Sequence, residues 1–177
     1  MTEDDKALAA VRVRALDLEP VVFALMHPDS GRAPLSLPEA DADVAMYRSY
    51  LMLCAWYPGE LLVPSRDIDR AWQAHILDTA KYARDCIFAF GYVLHHFPYQ
   101  GMLGSHDARM WAEGYARTLS LLSGHGGSGG TRQVAARAGN GRICLSPCGS
   151  CPPGNCECDF TDAAEQPRPR PGRTPAA

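Results

Sequence analysis

The feature that most constrains this chain is an abrupt change of composition at Gly124. Residues 124–130 read GHGGSGG, a run that offers almost no side chains to bury, and glycine and serine in such runs form flexible linkers. The residues before this run have apolar side chains at helical spacing. The change therefore predicts a folded domain over residues 1–123 and an appendage after it.

The appendage divides into three segments by composition. Residues 124–143 are predicted to be a Gly-rich linker, and residues 144–158 contain five cysteines. Residues 159–177 include EQPRPRPGRTPAA, whose proline and arginine content is typical of disordered chains. We expect a flexible Gly/Cys/Pro-rich C-terminal tail.

The spacing of apolar residues in the domain predicts an all-α fold, a compact bundle of about five helices. Apolar residues recur every three or four positions, and no pair of strands stands out. The core-facing residues of the first helix, within residues 5–18, are predicted to be Leu8, Val11, Ala15 and Leu18. Those of the last helix are predicted to be Met110, Trp111, Tyr115, Leu119 and Leu122.

Four residues with short polar side chains are predicted to begin helices. Ser36, followed by Pro38 and Glu39, has the pattern of a capping box with proline in the first turn. The other predicted N-caps are Ser65, Asp78 and Ser105. Gly91 is predicted to end the helix that Asp78 begins, and residues 92–104 are predicted to be an ordered loop.

The charge and hydropathy of the chain argue against two classes of partner. The net charge is −3, so the chain has no basic field for nucleic acid. No apolar run approaches the roughly 20 residues that cross a membrane. The first residues, MTEDDKALAA, lack the features of a signal peptide, and we expect a cytoplasmic protein. A protein partner stays open, and the sequence does not indicate an oligomeric state.

The segment RDIDRAWQAHIL, residues 66–77, places a histidine on the apolar face of a helix. Ile68, Trp72, His75 and Ile76 are three or four positions apart and share one face. Asp78 follows His75 by three positions and is a candidate hydrogen-bond acceptor for its ring. Two interpretations stay open, a hydrogen-bonded core histidine and a metal ligand.

Two further histidines extend the metal hypothesis. His95 and His96 follow the end of a helix, and a helical hairpin would return one of them towards His75. His75, one of His95 or His96, and Asp67 or Asp69 would then form a His/carboxylate set suited to Zn or Fe(II). The alternative is that these side chains hydrogen-bond to one another and to the backbone without an ion.

The cysteines fall into two groups. Cys54 and Cys86 stand alone in apolar helical contexts and are predicted to be core residues. The remaining five crowd into 15 residues, and thiolates at such spacing bind soft ions such as Zn(II) or Cu(I). The predicted tail site consists of Cys144, Cys148, Cys151, Cys156 and Cys158. Disulfides formed on oxidation and a modified or processed segment are the alternatives.

The stretches LLVPSRDIDRAWQAHIL, YARDC and FGYVLHHFPYQG together resemble the glycine-rich-domain-containing-protein-like family of bacteria, fungi and plants. The family pattern is a Val-Pro segment, D-x-x-W-H-x-H, a tyrosine, Asp-Cys, a glycine and a late histidine. The matching residues, within about residues 44–104, are Val63, Pro64, Asp69, Trp72, His75, Tyr82, Asp85, Cys86, Gly91 and His95 or His96.

The chain departs from this family pattern at one position. Gln73 stands where the pattern has its first histidine. If that histidine is the ligand in relatives, this chain lacks their site, whereas a ligand at His75 would be retained. The resemblance implies a fold and a cluster of candidate site residues, but it implies no established reaction.

Two functions from different classes follow from these patterns. The first is a small helical protein with a His/carboxylate metal site and a Cys-rich metal-binding tail, holding zinc, iron or copper. The second is a non-catalytic protein-interaction module whose tail is a modified or disordered arm. Nucleophile elbows, phosphate-binding loops and dinucleotide-binding glycine motifs are absent from the sequence, so it does not indicate a reaction.

Overall fold

The computed structural model describes residues 2–28 and 31–125, together with the backbone of residues 143–145. Most of the predicted linker, four of the five cysteines of the predicted tail site and all of residues 159–177 lie outside this part of the chain. The elements of the described part, in chain order, are α1 Glu3–Arg14, α2 Glu19–Met26, α3 Leu37–Trp56, α4 Arg66–Leu77, α5 Thr79–Phe90, β1 His95–Phe97, α6 Ser105–Gly124 and β2 Ile143–Leu145.

The structure is an all-α bundle, as the apolar spacing predicts. The described residues form six helices, one more than the approximate number expected. The strands β1 and β2, which the sequence pattern did not predict, form an antiparallel pair in which His96 is the Cα partner of Cys144. No helix in the described ranges is both long enough and apolar enough to span a membrane.

Local side-chain caps explain where most of the helices begin. Glu39 Oε2 accepts from the backbone N–H of Ser36 at 2.9 Å, so the predicted capping box is present. The hydroxyl of Ser65 and the carboxylate of Asp78 each accept from a backbone N–H three residues later, as predicted. Gly91, at φ 83°, ends α5 in the left-handed conformation that glycine adopts without strain.

One predicted helix start is wrong by a residue. Ser105 is the first residue of α6, and the N-cap is Gly104, which has φ 107° and no side chain to accept a hydrogen bond. Asp107 instead binds the loop before the helix, since its Oδ2 accepts from Leu103 N at 3.0 Å. The positive φ of Gly104 turns the loop into α6, which a serine at that position would not do without strain.

The core lies around α3, which packs against α1, α2, α4 and α6. Its largest buried side chains include Trp72 from α4 together with Tyr47 and Tyr50 from α3. The hydroxyl of Tyr50 donates to the carbonyl of Leu62 at 2.8 Å. No buried side-chain nitrogen or oxygen in the described residues is without a hydrogen-bond partner. The polar groups of the core therefore stabilise the packing instead of opposing it.

Two predicted helix faces are partly wrong. Leu8 and Val11 are more than half exposed, whereas Val13 is completely buried and orients α1. In α6, Met110 is also exposed, because that helix approaches the core through Gly114 and Thr118 instead. The hydroxyl of Thr118 accepts from the backbone N–H of Val63 at 2.8 Å. The hydrogen bond of Thr118 and the close approach at Gly114 therefore position α6. Neither residue is apolar, so the pattern of apolar residues did not predict this buried face.

Candidate functional site

The inward face of α4 carries the first group of site residues. The side chain of Ser65 caps the helix, and the stripe that follows is buried as predicted, with Ile68 and Trp72 at 0% exposure and His75 at 2%. The indole N–H of Trp72 donates to the hydroxyl of Tyr82 at 2.9 Å, and that hydroxyl donates to the carbonyl of Leu94. These bonds connect α4 through α5 to the segment that leads into β1.

His75 forms hydrogen bonds through both ring nitrogens. Its Nδ1 lies 3.0 Å from the hydroxyl of Tyr47 on α3, and its Nε2 lies 3.0 Å from Oδ2 of Asp85 on α5. The acceptor is therefore Asp85. The sequence spacing had suggested Asp78 instead. The carboxylate of Asp78 is occupied with the N-terminus of α5, where it accepts from Lys81 N at 3.2 Å.

The protonation state of His75 follows from its burial. Desolvation lowers the pKa of His75 below its ordinary value and outweighs the opposite effect of the nearby Asp85 carboxylate. The neutral ring has one N–H, and a carboxylate only accepts, so Nε2 donates to Asp85 and Nδ1 accepts from Tyr47. Both nitrogens are thus used in holding three helices together, which leaves neither of them for a metal ion.

A second His/carboxylate pair joins α4 to β1. Nε2 of His96 lies 2.8 Å from Oδ1 of Asp69, and the two side chains are only 9% and 11% exposed. The ring of His96 meets the face of Trp72 edge-on, with ring centroids 4.7 Å apart. The chain therefore returns towards α4 after α5, as the helical-hairpin argument expected, but it returns to Asp69.

Gln73 extends this second pair towards the surface. Its side-chain amide nitrogen donates to Oδ2 of Asp69 at 2.6 Å, and its carbonyl oxygen accepts from Arg32 at 3.2 Å. We refer to Arg32, Gln73, Asp69 and His96 as the pocket network, because they lie beside a cavity between α2 and α4. Gln73, at the position where the family pattern has its first histidine, is thus a second partner of Asp69 besides His96.

The predicted domain site is divided by the structure. Asp69 and His96 are in contact, whereas His75 belongs to the pair with Asp85 and His95 belongs to neither pair. Within residues 2–28 and 31–125, no group of three or more His, Cys, Asp or Glu side chains is arranged to hold a metal ion. Of the predicted tail site, only the backbone of Cys144 is described. Cys54 and Cys86 are buried free thiols, as predicted.

A cavity of about 730 Å³ lies beside the pocket network, and we call it the α2–α4 pocket. Its walls come from α2, the segment that follows α2, α4, the start of α5 and β1. The lining residues are Pro20, Val21, Ala24, Leu25, His27, Pro28, Arg32, Ala33, Leu35, Arg70, Gln73, Ala74, His75, Ile76, Leu77, Asp78, Lys81, His96 and Pro98.

Sequence reasoning missed the pocket and three of the polar partners around it. The sequence pattern assigns no site role to Tyr47 or Arg32. Asp85 was noted only within the family pattern. The charge at Asp85 is the one available signal, because a carboxylate directly before the buried Cys86 needs a partner.

Comparison of the chain with protein-family models, with curated proteins and with solved structures finds no match.

Proposed function

We propose that the helical part of this protein binds a small molecule in the α2–α4 pocket. The observation that carries the proposal is the pocket itself. Its volume of about 730 Å³ falls in the range of roughly 300–1,000 Å³ that ligand sites occupy. Most of its lining residues are apolar, and three members of the pocket network, Arg32, Gln73 and His96, also line it. A predominantly apolar cavity with few oriented polar groups is the usual form of a ligand site.

The pocket network supports this proposal because its side chains are already oriented. Asp69 accepts from both His96 and Gln73, and Gln73 in turn accepts from Arg32. Each member is held by another, so a ligand that contacts them does not have to order them first.

The test is to fill the pocket and measure binding. A fragment library is screened against the full chain by the amide chemical shifts of the uniformly ¹⁵N-labelled protein. We expect some fragments to shift the amides of Val21, Gln73 and Ala74 in a saturable way. In Ala74→Trp, where the indole occupies the pocket, these shifts are lost. Ala116→Trp places the same side chain on the exposed surface of α6 and serves as the matched control.

Two results would reject this function. The first is that no fragment produces saturable shifts at the pocket amides. The second is that Ala74→Trp, shown to be folded by circular dichroism, binds every fragment as the unsubstituted chain does.

A metal ion at Asp69 and His96 is the second candidate, and the contact between these residues favours it. Ligand atoms about 2.0–2.1 Å from a tetrahedral zinc ion lie about 3.3 Å from each other. Asp69 Oδ1 and His96 Nε2 are 2.8 Å apart, so an ion between them requires a small separation of the two side chains and loss of the shared proton. Water or a pocket ligand would supply the remaining positions.

Calorimetric titration with Zn²⁺ tests this second candidate. The five cysteines of the tail are replaced by serine in an otherwise full-length chain, so that only the helical part contributes ligands. We expect weak binding that Asp69→Asn abolishes. Gln73→His adds an imidazole beside Asp69, and we expect it to tighten binding at least about tenfold. Binding that neither substitution changes would exclude this position as the metal site.

The family assignment is part of the proposal for residues 44–104. Residues that match the family pattern contact one another in this chain: Trp72 binds Tyr82, His75 binds Asp85 and His96 binds Asp69. The metal site of the tail, the protein-interaction alternative and the cytoplasmic location stay predictions from the sequence.

A further inference from the structure

The cationic side chains that line the α2–α4 pocket differ in whether a carboxylate balances them. Nε of Arg70 lies 2.8 Å from Asp43, and Nζ of Lys81 lies 2.8 Å from Asp85. Arg32 instead donates to the neutral amide of Gln73 and has no carboxylate partner among the described residues. Among the described residues it is therefore the lining guanidinium that no carboxylate balances.

The geometry of Arg32 suits a carboxylate. A guanidinium has five N–H donors in a planar fork, and the contact with Gln73 Oε1 at 3.2 Å uses only one of its terminal nitrogens. That contact also orients the fork, because Gln73 is itself fixed by its bond of 2.6 Å to Asp69. A planar carboxylate can accept two parallel hydrogen bonds from such a fork.

Apolar side chains form much of the remaining wall of the pocket. Val21 and Leu25 from α2 are at most 5% exposed and form its inner wall. Leu35, three residues after Arg32, and Ala74, directly after Gln73, also line the cavity. A ligand that contacts Arg32 therefore places its remaining atoms against aliphatic side chains.

The negative groups near the pocket limit the charge of the ligand. Asp78 lines the cavity, and Asp69 lies directly behind Gln73. One unbalanced guanidinium next to two carboxylates favours a ligand with a single negative charge over a dianion such as a phosphate monoester.

We infer that the ligand of the α2–α4 pocket is a small amphipathic carboxylic acid, with its carboxylate on Arg32 and its apolar part against Val21, Leu25, Leu35 and Ala74. This inference rests on the proposed function, because it specifies the chemistry of the molecule that the pocket binds. It goes beyond that proposal by assigning Arg32 as the residue that selects the ligand by charge.

Three probes with the same eight-carbon chain test the inference: octanoate, 1-octanol and octylamine. Each is titrated into the ¹⁵N-labelled full-length chain, and dissociation constants are taken from the amide shifts of pocket residues. We expect octanoate to bind about two- to fivefold more tightly than octanol, because a charged pair at an exposed side chain such as Arg32 contributes about that much. Octylamine should bind more weakly than either.

Substitution of the arginine provides the second arm. Arg32→Gln should remove the preference for octanoate over octanol and leave the affinity for octanol unchanged. Arg84→Gln, at an exposed arginine of α5 outside the pocket, should change neither affinity.

The outcomes separate this inference from the proposed function. Equal affinity for octanoate and octanol at the pocket amides, or an unchanged preference in Arg32→Gln, would overturn the role of Arg32 and leave the pocket as a ligand site. No saturable shift of the pocket amides with any of the three probes would overturn the inference, and the same result in the fragment screen would overturn the pocket as well.

Discussion

The Nε2 atom of His75 lies 3.0 Å from Oδ2 of Asp85, and this contact joins two helices whose sequences are separated by the turn at Asp78. The same carboxylate oxygen is 2.8 Å from Nζ of Lys81. On its other side the imidazole meets Tyr47, so one ring connects α3, α4 and α5. A histidine on the apolar face of a helix is here a structural residue, and the pocket network is formed by different side chains.

Replacement of His75 by alanine is expected to destabilise the fold strongly. The substitution leaves the hydroxyl of Tyr47 and the carboxylate of Asp85 without the ring and opens a cavity in the core. The loss of two hydrogen bonds and of core packing together predicts a decrease of about 3 kcal/mol in the free energy of unfolding, although Asp85 keeps its contact with Lys81. Urea denaturation followed by circular dichroism measures it. His106→Ala, at an exposed histidine of α6, should stay within about 0.5 kcal/mol of the original chain. Equal effects of the two substitutions would contradict the structural role.

The stability of the fold should decrease in mild acid because of the same residue. The folded-state pKa of His75 lies below the ordinary value of 6.5, so the unfolded chain takes up a proton first as the pH falls. Its contribution is fully present above 6.5 and is lost between 6.5 and the lower folded-state value, at no more than about 1.4 kcal/mol per pH unit. The charged and titratable groups that face the ring are Tyr47 on α3 and Lys81, Tyr82 and Asp85 on α5.

The pH effect is measured by urea denaturation at about pH 7.5 and about pH 5.5, in the original chain and in His75→Gln. Glutamine retains a hydrogen-bonding amide but does not titrate. We expect the difference between the two pH values to be smaller in the variant. An equal difference would assign the acid sensitivity to other groups.

Gly114 is expected to be essential for the position of α6, although glycine is a poor helix former. A Cβ atom at this position would lie 2.8 Å from Cγ2 of Val63 and 3.0 Å from the carbonyl oxygen of Leu61. Helix propensity alone would make Gly114→Ala about 1 kcal/mol more stable. The steric conflict with a backbone atom reverses the sign, and we expect a net loss of about 1–2 kcal/mol in chemical denaturation.

Gly124 in the same helix is the matched control for Gly114. A Cβ atom there has no heavy atom of the described residues within 4 Å, so Gly124→Ala should be neutral or slightly stabilising. If both alanine variants are stabilised, the close approach of α6 to residues 61–63 is wrong.

The thiol of Cys86 should be unreactive in the folded protein. Burial raises its pKa to about 11, and the side chain is 2% exposed. Because the thiolate is the reactive form, iodoacetamide at about pH 8 should leave Cys86 unmodified in the native full-length chain and alkylate it fully in urea. Peptide mass spectrometry resolves this site from the five cysteines of the tail. Native modification of Cys86 as rapid as that after denaturation would contradict its burial.

The helix boundaries were predictable because they depend on neighbours within one turn. The capping box of Ser36 and Glu39, the caps at Ser65 and Asp78 and the left-handed Gly91 are all formed by residues at most four positions apart. The buried stripe of α4 was predictable for a related reason, since a period of 3.6 residues determines which side chains share a face. The failure at α1 shows the limit of this argument, because several faces of a mildly apolar helix fit the same period.

Only the tertiary structure decided which polar side chains meet. His96 and Asp69 are 27 residues apart, and Arg32 and Gln73 are 41 residues apart. Their contacts depend on how α2, α4 and β1 pack, and no local spacing encodes that packing. The sequence by itself determined the all-α class, most helix starts and the inward position of His75. The packing of the helices determined that His75 is satisfied by Tyr47 and Asp85, whereas Gln73 and His96 bond to Asp69 and line a cavity, because a buried polar group bonds to whichever partner the fold brings within reach.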